Sequence, residues 1–410
     1  MNKAIAVFLW ILPQIVSAAY TNYNSILIGD RAAGMGGAYT ALSGDPAACS
    51  FYNPATLARM EGSSLSAAVN VYNKYETRFG VNDDFQSAPL RVNQGSFVPI
   101  PASSGSVHTF RNFAFGLSIV IPDSETYNGE VHSNGSNLTL LDFKDQSLWV
   151  GGTLALNLNE ANSIGFTAYY TSRTYSRSVT DRVVNAFTSI LNENKTLTSN
   201  SLLYLIGFSH QFNPHWKLGL SHRFASLPVA GKGTYFRSLV STQPATSELN
   251  EINLITHTKI PTKTALGIAY ERSRNFTVAF DLNYYSSEIY TDMQNSLGGD
   301  LIIHKPTWNV SLGGEYFTQD WLALRAGLYT NLSSAPTLPT NPLQRQPDHI
   351  DMFGFSANAA IYTSSQSSIT LGGYYTGGRG HSAQLIEGQI QKITKSHQTF
   401  TLLVGTTFRF

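Results

Sequence analysis

Apolar and polar positions alternate with a period of two over most of this chain. Phe113, Phe115, Leu117, Ile119 and Ile121 fall on one side of a ribbon, with Ala114, Gly116, Ser118 and Val120 on the other. Leu148, Val150, Leu154 and Leu156 stand against Trp149, Gly151, Thr153 and Asn157. Phe276, Val278, Phe280, Leu282 and Tyr284 stand against Thr277, Ala279, Asp281, Asn283 and Tyr285, and Trp308, Val310, Leu312 and Tyr316 against Asn309, Ser311, Gly313 and Glu315. Successive side chains of an extended chain point to opposite faces, so each run predicts a strand with one greasy face. Strands are expected near 64–73, 90–103, 111–122, 146–158, 162–176, 201–212, 215–226, 261–271, 275–287, 304–317, 320–330, 350–363, 367–378 and 398–410. That is about fourteen, an even number, as single-chain bacterial barrels have.

The connections choose the architecture. Tight ones lie at Asn159 to Ala161, Asn213-Pro214, Ser273-Arg274, Thr318-Gln319 and Ser364 to Gln366. Long ones span 123–145, 177–200, 227–260, 288–303, 331–349 and 379–397, and the two kinds alternate. A transmembrane barrel has short turns on the periplasmic side and long loops outside, whereas a stacked sandwich has no reason to sort loop length by strand parity. The expected fold is all-β: an antiparallel transmembrane β-barrel of about fourteen strands. The same alternation turns Lys217, Arg223, Glu271, Asp281, Glu315, Arg325 and Arg409 inward. Facing lipid, each charge would cost about 2–4 kcal/mol, so they are read as members of a paired, polar lumen.

Composition agrees. Charged residues make up 13% of the 410 residues, about half the share of roughly 25% usual in soluble domains. Tyr (21) and Phe (23), which strands favour, are numerous. A net charge of +1 gives no field for nucleic acid. The one cysteine, Cys49, excludes an intrachain disulfide and a CxxC metal site. At the N-terminus Lys3, the apolar run Ala4 to Leu12 and the small-residue step Val16-Ser17-Ala18 have the form of a signal peptide, residues 1–19.

Two features carry a family resemblance. The last strand ends on Phe410, like the closing strand of bacterial outer-membrane barrels. Residues 20–62 read Gly29-Asp30-Arg31-Ala32-Ala33-Gly34-Met35-Gly36-Gly37-Ala38-Tyr39-Thr40-Ala41-Leu42, then Asp45-Pro46-Ala47-Ala48, then Tyr52-Asn53-Pro54-Ala55-Thr56-Leu57-Ala58. This resembles the start of the outer-membrane long-chain fatty acid transporter family (FadL type), which includes aromatic-hydrocarbon relatives. The resemblance implies that 20–62 is a hatch inside the lumen of a barrel formed by 63–410. Gly34, Gly36, Gly37, Asn53, Pro54 and Ala55 are its candidate structural residues. Glycines permit tight turns and close packing, Pro54 fixes its own φ, and the Asn53 side chain can bond nearby backbone.

The family implies passive, hatch-gated diffusion of long-chain fatty acids or similar lipophiles across the outer membrane, with lateral release through a kinked third strand. Gly116, in the third predicted strand, is the candidate for that opening, since a strand glycine can mark a bulge; it equally suits a small lumen position. In the stretch 177–200, Val183, Val184, Phe187, Ile190 and Leu191 have the spacing of one helical face and are the candidate substrate contacts, packed on or grooved against Leu249, Ile252, Leu254 and Ile255. Arg177, Arg182, Lys195 and Lys232 lie near that groove, and no motif selects one as a carboxylate contact. The expected partners are outer-membrane lipid and a hydrophobic small molecule, with no nucleic acid, no cofactor and no metal, for a monomer that is not an enzyme. Two rivals remain: a non-transporting barrel of the same type acting as surface anchor or shuttle for secreted proteins, and an outer-membrane hydrolase pairing Ser209 with His222 across strands. There is no HExxH, GxSxG, P-loop or CxxC motif.

Overall fold

The structure, a computed structural model, describes residues 21–80, 90–96, 100–133, 137–184, 188–242, 246–272, 275–342, 346–386 and 389–410. The expected signal peptide and Phe187 lie outside the described residues. The strands are β1 Ser63–Gly80, β2 Leu90–Ser96, β3 Ile100–Phe110, β4 Phe113–Ser133, β5 Asn137–Asn157, β6 Asn162–Val184 and β7 Thr188–Gln211. Then come β8 Trp216–Arg223, β9 Leu227–Ser241, β10 Ser247–Leu254, β11 Lys263–Arg272, β12 Phe276–Tyr285, β13 Glu288–Thr291 and β14 Leu301–His304. The last are β15 Thr307–Gln319, β16 Leu322–Asn331, β17 His349–Tyr362, β18 Ser367–Ile386 and β19 Gln389–Arg409.

These make a closed antiparallel barrel of fourteen wall strands. β2 and β3 both pair with β1 and form one broken wall strand. β8 and β9 both pair with β7, while β11 pairs with β8 and β10 with β9, so these two wall strands are also broken. β13 and β14 form a separate hairpin. The last strand pairs back on the first, from Ser64 opposite Arg409 to Gly80 opposite Thr394. Closure leaves no edge, which is what lets a sheet stand in hydrocarbon.

The alternation sorts the side chains as read. Phe115, Leu154, Phe280, Leu312 and Leu402 are exposed on the outer wall, while Ala114, Thr153, Asp281, Ser311 and Leu403 are buried inside. One expected outward residue differs. Ile121 is buried, because the β4–β5 register shifts between Val120 and Asp123. A bulge adds a residue and reverses the parity beyond it.

The long connections differ more. Most of the residues expected as loops continue the wall as paired ribbons. β6 and β7 stay in register from Asn162 opposite His210 up to Val184 opposite Thr188. No helix forms between 177 and 200 among the described residues: Val183, Val184, Ile190 and Leu191 are strand residues. Leu191 is buried on the inner face and Val184 is exposed on the outer one, so the four do not share a face. The helical spacing was a coincidence of a ribbon tip, where continued hydrogen bonding to an existing neighbour strand overrides a short local pattern. The tip of the β3–β4 hairpin also sits lower than expected, at Arg111 (φ 53°) and Asn112, so β3 runs on to Phe110.

Residues 21–62 run down the inside of this wall. Asn22 donates to the carbonyls of Asn331 and Ile350, and Asn24 to that of Thr330, all at the end of the barrel where the ribbons project. Arg59 donates to the carbonyl of Glu160, at a tight turn of the opposite end. Between them lie α1 (Asp30–Gly34), α2 (Pro46–Tyr52) and a 3-10 turn (Pro54–Arg59). The Asp45 carboxylate caps α2 by accepting from the Ala47 and Ala48 amides, with Pro46 in the first helical turn. Asn53 ends α2 and starts the next turn: its Oδ1 accepts from the Ala55 amide, and its Nδ2 donates to Thr40 and Phe208 carbonyls.

The wall makes room for this segment with glycine. A Cβ on Gly105 would strike Ala47, on Gly165 the Pro54–Ala55 peptide, on Gly219 and Gly267 Thr40, on Gly313 Met35, and on Gly405 Asp30. Seen from the segment, Gly34 is needed because its own Cβ would enter the Asn358 side chain, whereas Gly36 (φ 64°) and Gly37 (φ 80°) turn the chain through left-handed backbone. Polar clasps complete the fit. Glu315 accepts from Arg31 (2.6 and 3.1 Å) and from Arg325 (2.6 Å). The Asp281 Oδ2 accepts from the Tyr39 and Thr40 amides and from the Thr40 hydroxyl, at 2.7–2.9 Å.

Cys49 is fully buried in this packing, and burial pushes its thiol up to about 11; its reaction with a water-soluble maleimide therefore reports unseating of the segment. Gly313→Val or Gly219→Val should overpack the contact by about 1–3 kcal/mol and raise the Cys49 labelling rate about tenfold or more, while the heat-modifiable gel mobility of the barrel persists. Glu315→Gln leaves two guanidinium groups facing a neutral amide. It should lower stability by about 3 kcal/mol, read as a reduced midpoint of thermal unfolding in detergent, and a midpoint equal to that of the parent would refute the clasp.

Candidate functional site

A cavity lies between the N-terminal segment and the projecting ribbons. It holds about 680 Å³ of empty space, part of it continuous with solvent. Its apolar lining comes from Tyr23 and Phe51 of the segment and from Trp149, Pro122, Ile260 and Tyr290. The rings brace one another: Tyr23 stacks on Tyr285 with centroids 4.3 Å apart, and Phe51 and Trp149 are 5.7 Å apart. Such a pocket, mostly apolar with a few polar groups, suits a small lipophile.

The polar lining is mostly hydroxyl groups, with Asp123 and three cationic side chains, of which Lys259 pairs with Glu288 at 3.0 Å. Arg173 and Arg223 both line the cavity. Arg173 is matched: it forms a bidentate pair with Asp145 and donates to Thr258 Oγ1 at 3.2 Å. Arg223 differs. Its only hydrogen bond within the described residues is a 3.3 Å donation to the Pro261 carbonyl, and its Nε is buried without a partner. Its guanidinium lies 5.5 Å from the Trp149 ring centre and 5.9 Å from that of Tyr285, which aromatic faces tolerate. Next to it, opposite in register, is Lys263, whose Nζ sits 5.5 Å from Tyr52 and 5.7 Å from Tyr285. Lys263 has no ion pair among the described residues.

The wall changes character beside this cavity. β4 pairs with β3 only as far as Val120, opposite Ser103. Beyond that point come the register shift, Pro122 without an N–H to donate, and Asp123, which with Pro122 lines the cavity. β2, which continues the line of β3, is laddered to β1. Gly116 is not the irregular position. It pairs normally with Val107 and Thr153, and a Cβ there would meet the Leu57 side chain at 2.7 Å, so it is a small lumen residue facing the N-terminal segment.

The candidate residues thus fall in separate places. Gly34, Gly36, Gly37, Asn53, Pro54 and Ala55 are gathered in the segment below the cavity. Val183, Val184, Ile190 and Leu191 lie at a ribbon tip and do not line it. Of the basic residues near the expected groove, Lys195 is buried between Asp292 (2.8 Å) and Asp300, and Arg177 lies 3.8 Å from Glu193. Leu249 and Leu254 pack on a cluster of Phe143, Tyr175, Leu197, Tyr235 and Met293, outside the cavity. Arg223 was legible as an inward charge. Arg173 and Lys263 were not singled out, although Lys263 has the parity of Glu271 and could have been found by extending the same alternation. Ser209 is buried in the lumen opposite Gly219, and His222 stands opposite Ile206, so the two do not meet. Among the described residues no group of His, Cys, Asp and Glu is arranged to hold a metal ion.

Comparison with known proteins agrees with this architecture. The family described as "Outer membrane protein transport protein (OMPP1/FadL/TodX)" matches residues 14–342. No curated protein matches the sequence. Among solved structures, a Pseudomonas aeruginosa FadL homologue aligns with a TM-score of 0.72 at 14% identity, covering 95% of this chain and 100% of that one. The P. putida toluene transporter TodX aligns at 0.68 and 14%, covering 94% and 99%. The Ralstonia pickettii toluene transporter TbuX aligns at 0.64 and 13%, covering 95% and 100%. At such identities the likeness is one of fold; together with the match over most of the sequence it places the chain in the OMPP1/FadL/TodX family of outer-membrane transport proteins.

Proposed function

We propose that this protein passes long-chain fatty acids or similar anionic lipophiles from the cell surface into the outer membrane by passive diffusion, with residues 21–62 as the hatch. The observation that carries the choice is Arg223: a buried guanidinium whose Nε lacks a partner, in an aromatic-lined cavity above the segment. An unpaired buried donor costs about 1–3 kcal/mol, and a ligand carboxylate would remove that cost while its tail lies on Phe51 and Trp149. Toluene transporters and monoaromatic hydrocarbon channels occur among the structural relatives; a neutral ring would use the same aromatic walls and leave Arg223 unmatched. Lateral release is assigned to the wall beside Ile121 and Pro122, where the β3–β4 ladder ends, rather than to Gly116. No energy source is required, because transfer of an acyl chain from water to lipid is downhill.

The test compares oleate with its methyl ester, using Trp149 fluorescence to follow binding to the purified barrel. Oleate should bind more tightly than the ester, and Arg223→Gln should weaken oleate about tenfold or more while leaving the ester unchanged. Equal affinities for acid and ester would overturn the anionic class, and failure of liposomes carrying the protein to take up either molecule would overturn transport.

A further inference from the structure

Asp30 and Asp45 are both buried in the N-terminal segment and are neighbours there. The Asp30 amide also donates to Asp45 Oδ2 at 3.1 Å. Each acid ties the segment to a different part of the wall. Asp30 Oδ2 accepts from the Thr370 hydroxyl of β18 at 2.5 Å, and Asp45 Oδ1 accepts from the Ser66 hydroxyl of β1 at 2.8 Å. Asp45 also caps α2, and Asp30 is the first residue of α1.

Neither has an ion-pair partner among the described residues. On α1, the Arg31 side chain goes to Glu315 and to the Ser43 carbonyl. On β16, Arg325 goes to the same Glu315. Arg409 of β19 reaches the neighbourhood of Gly44, not the carboxyls. Tyr39 accepts from the Asp45 amide through its hydroxyl, and Cys49 lies in α2 with its thiol neutral at ordinary pH. β1, β3 and β18 present only Ser66, Ser103 and Thr370 here. A buried carboxylate beside a second acid, without a cation, does not ionise cheaply in a dry site.

We propose that Asp45 keeps its proton beside Asp30 while the segment is seated, and that losing this proton to solvent loosens the segment from β1 and β18. The pair is a pH-sensitive latch on the gate of the preceding reading, and it rests on that reading only for its consequence for transport. Burial first, and the Asp30 carboxyl second, push Asp45 up to about 7. The sign follows: a carboxyl raised above its ordinary value of about 3.9 holds its proton when seated and not when released. Seating is therefore firmest below about pH 4, weakens by up to about tenfold in the opening equilibrium per pH unit between about 4 and 7 for one proton, and changes no further above about 7.

The test uses ligand-free full-length protein in mild detergent. Cys49 labelling by a water-soluble maleimide is followed from about pH 5 to about 9 and divided at each pH by the rate for the unfolded chain. The corrected rate should climb by up to about tenfold per unit below about pH 7 and level off above it. In Asp45→Asn the titrating group is gone and Oδ1 still caps α2, while the nitrogen in place of Oδ2 gives up the hydrogen bond from the Asp30 amide. The profile should then be flat throughout, and Asp30→Asn should behave alike. A pH-independent rate in the parent protein overturns the latch, as does an unchanged slope in either variant. The parent profile alone decides the matter if a variant does not assemble. Because no lipophile is present, a flat profile would sink the latch without touching the transport reading, and failed uptake would leave the latch standing.

Discussion

The close fit between the N-terminal segment and the inner wall is the constraint on which the rest depends. A barrel of fourteen strands is too wide for its own side chains to fill. Here the strands keep their inward positions small at the level of the segment, with Gly105, Gly165, Gly219, Gly267, Gly313 and Gly405 each brought against it. Backbone meets backbone, and the polar groups of an irregular chain are satisfied by inward side chains such as Asp281, Ser221 and Asn358. Without that, a kinked, hydrogen-bond-rich peptide could not sit in a space shielded from water.

The same fit creates the cavity. The segment packs most closely along the part of the barrel next to the tight turns, where the glycines lie. Above it the wall carries Trp149, Tyr285, Arg173 and Arg223 instead. Charge is distributed accordingly. Below, Glu315 is shared by two arginines, and Asp281 is held by amides and a hydroxyl. Above, Arg173 is matched by Asp145, while Arg223 and Lys263 rest on aromatic rings. The site is thus a consequence of where wall residues stop being small.

Much of the fold was legible in the sequence because a strand whose two faces meet different surroundings must alternate. Phe276 to Tyr285 or Thr307 to Tyr316 leave no other arrangement that keeps phenylalanine in lipid and aspartate out of it. The place of Asn53, Pro54 and Ala55 was readable for a similar reason, since cap and turn chemistry is local. Val183, Val184, Ile190 and Leu191 misled because apolar residues of two paired strands satisfy a helical spacing by chance, and no local signal announces that a neighbouring strand will continue to pair. Gly116 misled because a strand glycine serves a bend and a close contact equally, and only the position of Leu57 tells them apart.

The sequence by itself determined the strand periodicity, the approximate strand count, the sorting of short and long connections, and the family of the N-terminal motif. These are properties of neighbours along the chain. The tertiary structure alone decided that Arg223 Nε has no hydrogen-bond partner among the described residues, that Lys263 lies beside it, that the β4 irregularity lies at Ile121 and Pro122, and that Asp30 meets Asp45. Each of these depends on closing the barrel around the segment, which brings together residues far apart in the chain, and no periodicity encodes that distance.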